Sequence, residues 1–137
     1  MILVDSSVWI DFFSNAPGPA GHELKRLIAA SEPVALTGVI VTEVLQGLRR
    51  DIEPIEYQLR LWDMVEPQGF ETYRNAASLA RLARSRGLTL STIDCLIATL
   101  AVEQRAVLFT LDEDFRGIQG FTSLRIYAVR DDQRSGL

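Results

Sequence analysis

MILVDSSVWIDFF, residues 1–13, sets the reading of the chain. Ile2 to Val4 is an apolar run that stops at an aspartate. A short run of that kind describes a strand buried on both faces. After Asp5 the spacing changes. Val8, Trp9, Phe12 and Phe13 fall at helical intervals, so Ser6 to Phe13 reads as a helix with one apolar side. Asp5 then stands between a buried strand and a helix, where aspartate is a poor strand former. Its structural role there would be a helix N-cap.

The same alternation continues outward from this unit. Asn15 to Gly21 is a Pro/Gly loop, and Glu23 to Ala30 is a helix with Leu24, Leu27 and Ile28 turned inward. Val34 to Leu36 reads as a second strand. Beyond Thr37 and Gly38, the stripe Val41, Val44, Leu45, Leu48 predicts an amphipathic helix. Ile55 to Met64 is another helix, with Leu59 and Trp62 buried, and Val65 centres a brief strand. Thr72 to Arg86 is a long helix that stops at Gly87. Ser91 to Gln104 carries the stripe Ile93, Leu96, Ile97, Leu100, Ala101. Ala106 to Thr110 has no polar face, as a strand inside a parallel sheet requires. Asp112 to Phe115 turns away, Arg125 to Val129 is a last strand, and the tail from Arg130 reads as loose. Short strands alternating with longer helices predict an α/β fold, with a parallel sheet of four to five strands covered on both faces. The expected organisation is one domain over residues 1–137. Sites on such sheets form at the carboxyl ends of the strands.

Composition narrows the class. Of 137 residues, 47% are hydrophobic, enough for a proper core. A single cysteine, Cys95, excludes an intrachain disulfide and fits a reducing compartment. The N-terminus has no basic segment and carries Asp5 and Asp11, unlike a signal peptide. No apolar run reaches the roughly 18 residues of a membrane span. The expectation is a soluble, cytoplasmic protein. The net charge of −4 speaks against a nucleic-acid binder as a bare sum. A cation-holding acidic cluster would account for much of it, however. The basic residues are grouped at Arg49 and Arg50 and at Arg74, Arg81, Arg84 and Arg86, and Lys25 is the only lysine. Arginine's planar fork suits phosphate and carboxylate alike, so the Arg74, Arg81, Arg84 row either contacts phosphates or solvates a helix face.

Four acids share the end of the sheet where this architecture puts chemistry. Asp5 follows the first strand and Asp112 follows the strand ending near Thr110. Asp94 is in the first turn of its helix, and Glu43 lies off the apolar stripe of its own. Gathered carboxylates oppose one another's ionisation unless a cation sits among them. An all-oxygen set suits Mg²⁺ or Mn²⁺. One histidine, His22, and one cysteine make no zinc site. Carboxylate-held Mg²⁺ is a common apparatus for phosphodiester hydrolysis. Each acid also has a structural role open to it: Asp94 in an S-x-x-D capping box with Ser91, Asp112 as a turn residue, Glu43 as a surface acid, Asp5 as an N-cap. The functional case rests on the four together. His22 reads as a surface or cap residue and Cys95 as core. Trp9, Phe12 and Phe13 read as core or interface residues ahead of base-stacking ones. Trp62 and Leu59 read as part of an apolar groove able to take an amphipathic helix.

V-D-S-S-V-W-I-D at 4–11, T-E-V-L-Q-G at 42–47, L-S-T-I-D-C-L-I-A at 90–98 and L-F-T-L-D-E-D-F at 108–115 resemble, in order and spacing, the four acidic motifs of PIN-domain proteins. The likeness is closest to the VapC-type toxins of bacterial toxin–antitoxin pairs. It covers essentially the whole chain. It implies a PIN-like three-layer sandwich and a Mg²⁺- or Mn²⁺-dependent endoribonuclease that cuts structured RNA, transfer or ribosomal. It also implies a homodimer silenced by a cognate antitoxin. By motif position, Asp5, Glu43, Asp94 and Asp112 would be the catalytic metal-site acids, with Asp114 as a further acid near the metal. Ser6 or Ser7 would bind metal-bound water or phosphate. Which of Asp112 and Asp114 faces the metal stays open, with Asp112 favoured by its closeness to the strand end. The rival reading is a PIN-fold module that binds RNA or protein without cutting.

Overall fold

A computed structural model describes residues 1–129; the tail read as loose from Arg130 lies outside the described residues. The elements are strand β1 (Ile2–Val4), helix α1 (Ser6–Phe12), α2 (Pro19–Ala29), β2 (Val34–Thr37), α3 (Gly38–Gln46), α4 (Ile52–Leu59), β3 (Asp63–Val65), α5 (Phe70–Ser85), α6 (Thr92–Glu103), β4 (Val107–Phe109), a 3₁₀ helix over Glu113–Phe121, and β5 (Arg125–Ile126). The strands form one parallel sheet in the order β3-β2-β1-β4-β5.

That order follows from crossovers in two opposite directions. The chain winds from β1 to β2 and β3, then crosses back to lay β4 on the other side of β1. Leu3 pairs with Ala35 on one side and Leu108 on the other. A central strand flanked in this way has no solvated face, and Leu3, Val4, Leu36 and Leu108 are all fully buried. The β1/β4 junction is the topological switch point, where open parallel sheets leave a crevice at their carboxyl ends.

Helix α1 is pinned over this crevice by its aromatics. Trp9 is fully buried, its Nε1 donates to the Val4 carbonyl at 3.1 Å, and its ring meets Phe12, Phe13 and Trp62 at 5.9, 6.0 and 6.1 Å between centroids. The cluster is core, and Trp9 has no face left for a base.

Several boundaries differ from the expected ones. Helix α2 starts at Pro19, inside the expected Pro/Gly loop. Proline suits a first helical turn, whose N–H has no helical partner in any case. The reason the loop closes there is Asp11, whose carboxylate accepts the Gly18 amide at 3.0 and 3.1 Å and the Gly21 amide at 2.7 Å. Helix α4 occupies residues 52–59 and not 55–64. It follows Asp51 in the left-handed region (φ 58°), and Asp63 to Val65 pair with Ala35 to Thr37 in the sheet. Strand pairing thus overrides the helical spacing that Trp62 and Met64 extend. Helix α5 begins two residues early, at Phe70, and residues 113–121 form a 3₁₀ helix where only a turn was expected. The last strand shrinks to Arg125–Ile126. No helix among the described residues is long and apolar enough to cross a membrane.

Candidate metal centre

Three carboxylates meet directly: oxygens of Asp94, Asp112 and Asp114 lie within 4.8 Å of one another. They arrive from two elements. Asp94 is in the first turn of α6, where Ser91 caps the helix by accepting the Asp94 backbone N–H at 3.0 Å. Ser91's half of the capping role read for this pair is therefore present, and it engages the backbone of residue 94. Asp112 caps the 3₁₀ helix, its Oδ1 accepting the Asp114 amide at 2.9 Å. Asp112 and Asp114, between which the sequence leaves the metal-facing acid open, both stand in this trio.

Asp5 and Glu43 stand outside that trio but within reach of its charge. Asp5 occupies the N-cap position of α1, yet its carboxylate makes no cap hydrogen bond, so that structural role fails. It is 5% exposed, and its amide continues the sheet by donating to the Phe109 carbonyl at 2.8 Å. Oδ2 accepts hydroxyls from Ser7 at 3.1 Å and Thr110 at 2.8 Å. Glu43, half-buried on α3, accepts Ser6 Oγ at 3.2 Å on Oε1. Ser6 and Ser7 thus each donate a hydroxyl to one of the acids.

The electrostatics record the crowding. Burial pushes the Glu43 carboxyl above its ordinary range and the charge of Asp5 adds to this. The Ser6 hydroxyl opposes it, and Asp94 raises it again. Asp94 is raised by burial first, is partly offset by Ser91, and is raised further by Asp112, Asp5 and Asp114. A divalent cation would remove this repulsion. Mg²⁺ takes oxygens at about 2.0–2.1 Å, so opposed ligands stand roughly 4 Å apart, comparable with the spacing of the trio. The set is all oxygen: His22 is exposed on α2 and Cys95 is buried, its thiol pushed up by burial and by Asp94. The donor chemistry fits Mg²⁺ or Mn²⁺ and not zinc.

Thr110 escaped the sequence reading. It ends the run V-L-F-T, and a hydroxyl at the end of an all-apolar strand, two residues before an acid, was the available signal. Its Oγ1 also accepts the Asp112 amide at 3.0 Å.

Two surface grooves bear on the sequence readings. Val41, Leu45, Leu59 and Met64 line one, with Glu56 and Arg60 at its edge. Trp62, expected there, is instead packed inward on Trp9 with its indole N–H buried and without a partner among the described residues. The other groove runs between α5 and α6, about 480 Å³, lined by Tyr73, Arg81, Arg84, Thr92 and Cys95 among others. Of the arginine row, Arg74 pairs with Glu71, while Arg81 and Arg84 face this groove.

The PIN domain family model matches residues 2–120. Ribonuclease VapC11 of Mycobacterium tuberculosis is 33% identical over 141 residues, spanning 95% of this chain and all of that protein. VapBC2 from Rickettsia felis bound to a promoter DNA fragment has a similar fold, with a TM-score of 0.70 at 17% identity over 93% of this chain and 98% of that one. A toxin–antitoxin complex from Klebsiella pneumoniae gives 0.62 at 23%, over 92% and 100%. The family-model match over most of the chain and sequence likeness along the full length of a relative lead to one assignment: the chain belongs to the PIN-domain family, among its VapC ribonucleases.

Proposed function

We propose that this chain is the toxin of a VapBC-type pair, a divalent-metal-dependent endoribonuclease that hydrolyses phosphodiester bonds of structured RNA, transfer or ribosomal. The observation that carries the reading is the convergence of five acids on the switch point, with Glu43 and Asp94 held above their ordinary range by burial and by their neighbours' charge. In this reading Asp94, Asp112 and Asp114 hold Mg²⁺ or Mn²⁺, and Asp5 and Glu43 complete the site. When bound, the ion supplies an activated water and stabilises charge on the phosphate oxygens. The residues' own work is to orient five carboxylates in one crevice, where a bound cation would favour their ionised form against the crowding that raises Glu43 and Asp94. Cleavage leaves 5′-phosphate and 3′-hydroxyl ends. Arg81 and Arg84 offer phosphate contacts beside the α6 first turn.

The wider reading follows the family. The chain is one PIN domain acting in the cytoplasm as a homodimer, and the apolar groove of Val41, Leu45, Leu59 and Met64 receives a helix of the cognate antitoxin. The test of the activity is cleavage of total cellular RNA with sites mapped, with and without EDTA, for wild type, Asp5→Ala and Asp94→Ala. Wild type cuts, and EDTA or either substitution lowers the rate at least about 10²-fold. Folded variants that cut as fast as wild type refute the mechanism. A folded wild type that binds RNA without cutting it favours the non-catalytic module.

A further inference from the structure

We propose that Ser7 and Thr110 are paired positioning residues that leave Asp5 one oxygen for a metal ion and lash the Asp112 loop to it; the metal part of this rests on the reading above. Asp5 Oδ2 accepts the hydroxyls of Ser7 and Thr110. Each hydroxyl in turn accepts a backbone amide, Leu111 N onto Ser7 Oγ at 3.1 Å and Asp112 N onto Thr110 Oγ1 at 3.0 Å.

A hydroxyl has one proton to give, and an amide N–H cannot reverse its role. Each hydroxyl proton is therefore committed to Asp5, and both relays run one way: amide to hydroxyl to carboxylate. Two consequences follow. Oδ2 has both lone pairs filled, whereas Oδ1 takes no hydrogen bond among the described residues, so Asp5 meets an ion through Oδ1 alone. The loop from Thr110 to Asp112 is tied to Asp5 at three successive residues: the Thr110 side chain, the Leu111 amide and the Asp112 amide. Asp112 is thereby placed from β1, although the two residues lie on different strand ends. The relays span 104 and 105 residues of sequence. Such partners of a ligand orient it, and losing one typically costs 10- to 100-fold in metal affinity, as an order of magnitude.

The experiment reads amide exchange at Leu111 and Asp112 by NMR in metal-free protein, and Mn²⁺ affinity by titration, in Ser7→Ala, Thr110→Val and Thr110→Ser. Ser7→Ala should speed exchange at Leu111, and Thr110→Val at Asp112, each by about fivefold. Mn²⁺ affinity should fall roughly 10- to 100-fold in Thr110→Val, and Thr110→Ser should restore both readouts. Ser7→Ala carries the same test should Thr110→Val not fold. Unchanged exchange in the variants overturns the relays. A Thr110→Ser as impaired as Thr110→Val overturns them too, since methyl packing would then be the cause. Altered exchange with unaltered Mn²⁺ affinity overturns the positioning role. A wild type that binds no Mn²⁺ overturns the metal-site reading and the claim about Oδ1, while the exchange data still decide the relays.

Discussion

Replacing Asp94 with asparagine should make the metal-free protein more stable while destroying its use for the ion. Oxygens of Asp112 and Asp114 lie within 4.8 Å of an Asp94 oxygen. At that separation two unit charges repel by about 0.9 kcal/mol in water and about 3.5 kcal/mol at an effective dielectric near 20. Asp94 and Asp112 are half-buried and Asp114 is exposed. Solvent screening therefore puts the relief near the lower bound, about 1–2 kcal/mol over the two pairs. Against this, asparagine gives up the attraction of a carboxylate to the amino end of α6, about 0.3–1 kcal/mol. The Ser91 cap bonds the backbone of residue 94 and survives the change. The net gain is about 1 kcal/mol, a rise in Tm of roughly 3–5 °C for a chain of this length. Calorimetry in EDTA at neutral pH and low salt measures it. The gain should shrink near 1 M salt, where the Debye length is about 3 Å. Added Mn²⁺ should invert the order, because only wild type binds it tightly. An Asp94→Asn protein that melts at or below wild type in EDTA refutes the claim that these carboxylates crowd one another.

Other consequences are open to similar tests. Glu43 and Asp94 titrate above their ordinary range, so the folded state keeps protons the unfolded chain releases. Their contribution to metal-free stability is full below ordinary carboxylate values and is lost as pH rises through the raised ones. Mn²⁺ affinity must change the opposite way, rising over that window, and stability and affinity that move together in a pH series would refute the assignment. Asp11→Ala removes the acceptor of the Gly18 and Gly21 amides and should cost about 1–3 kcal/mol in urea unfolding; an unchanged midpoint would show that α2 closes without it. Gly21→Ala puts a Cβ 2.9 Å from Asp11 Oδ2 and 3.1 Å from its backbone carbon, with an expected loss of about 1–3 kcal/mol by overpacking. Trp62→Phe deletes a buried N–H without a partner among the described residues and should leave stability unchanged or raise it by up to about 1 kcal/mol; a large loss in the same urea titration refutes this expectation.

How much of this was legible differs from residue to residue. Asp5 was visible because a charge directly after a run of three apolar residues has no good local explanation. Asp94 was visible as a cap, and the cap is there. Glu43 stood off its helix stripe, which says only that it leaves the core, not where it points. The ends of α4 were misread because Trp62 and Met64 keep a helical interval. The ladder between Asp63 to Val65 and β2, a partner nearly thirty residues away, claims that backbone first. The start of α2 was misread because its cap comes from Asp11 on the preceding helix.

Residues 1–13 by themselves determined a strand, an acid and a helix, since an unbroken apolar run and a 3.6-residue period are both readable within a few residues. The alternation of such units determined the parallel sheet. Tertiary structure alone decided that β4 lies against β1, and everything specific to the site follows from that neighbour relation. It brings Thr110 to Asp5, lets Ser7 hold the Leu111 amide, and sets Asp112 and Asp114 beside Asp94. No local pattern encodes a hydrogen bond across a hundred residues. Its geometry exists only once the crossovers have fixed which strand ends share the crevice.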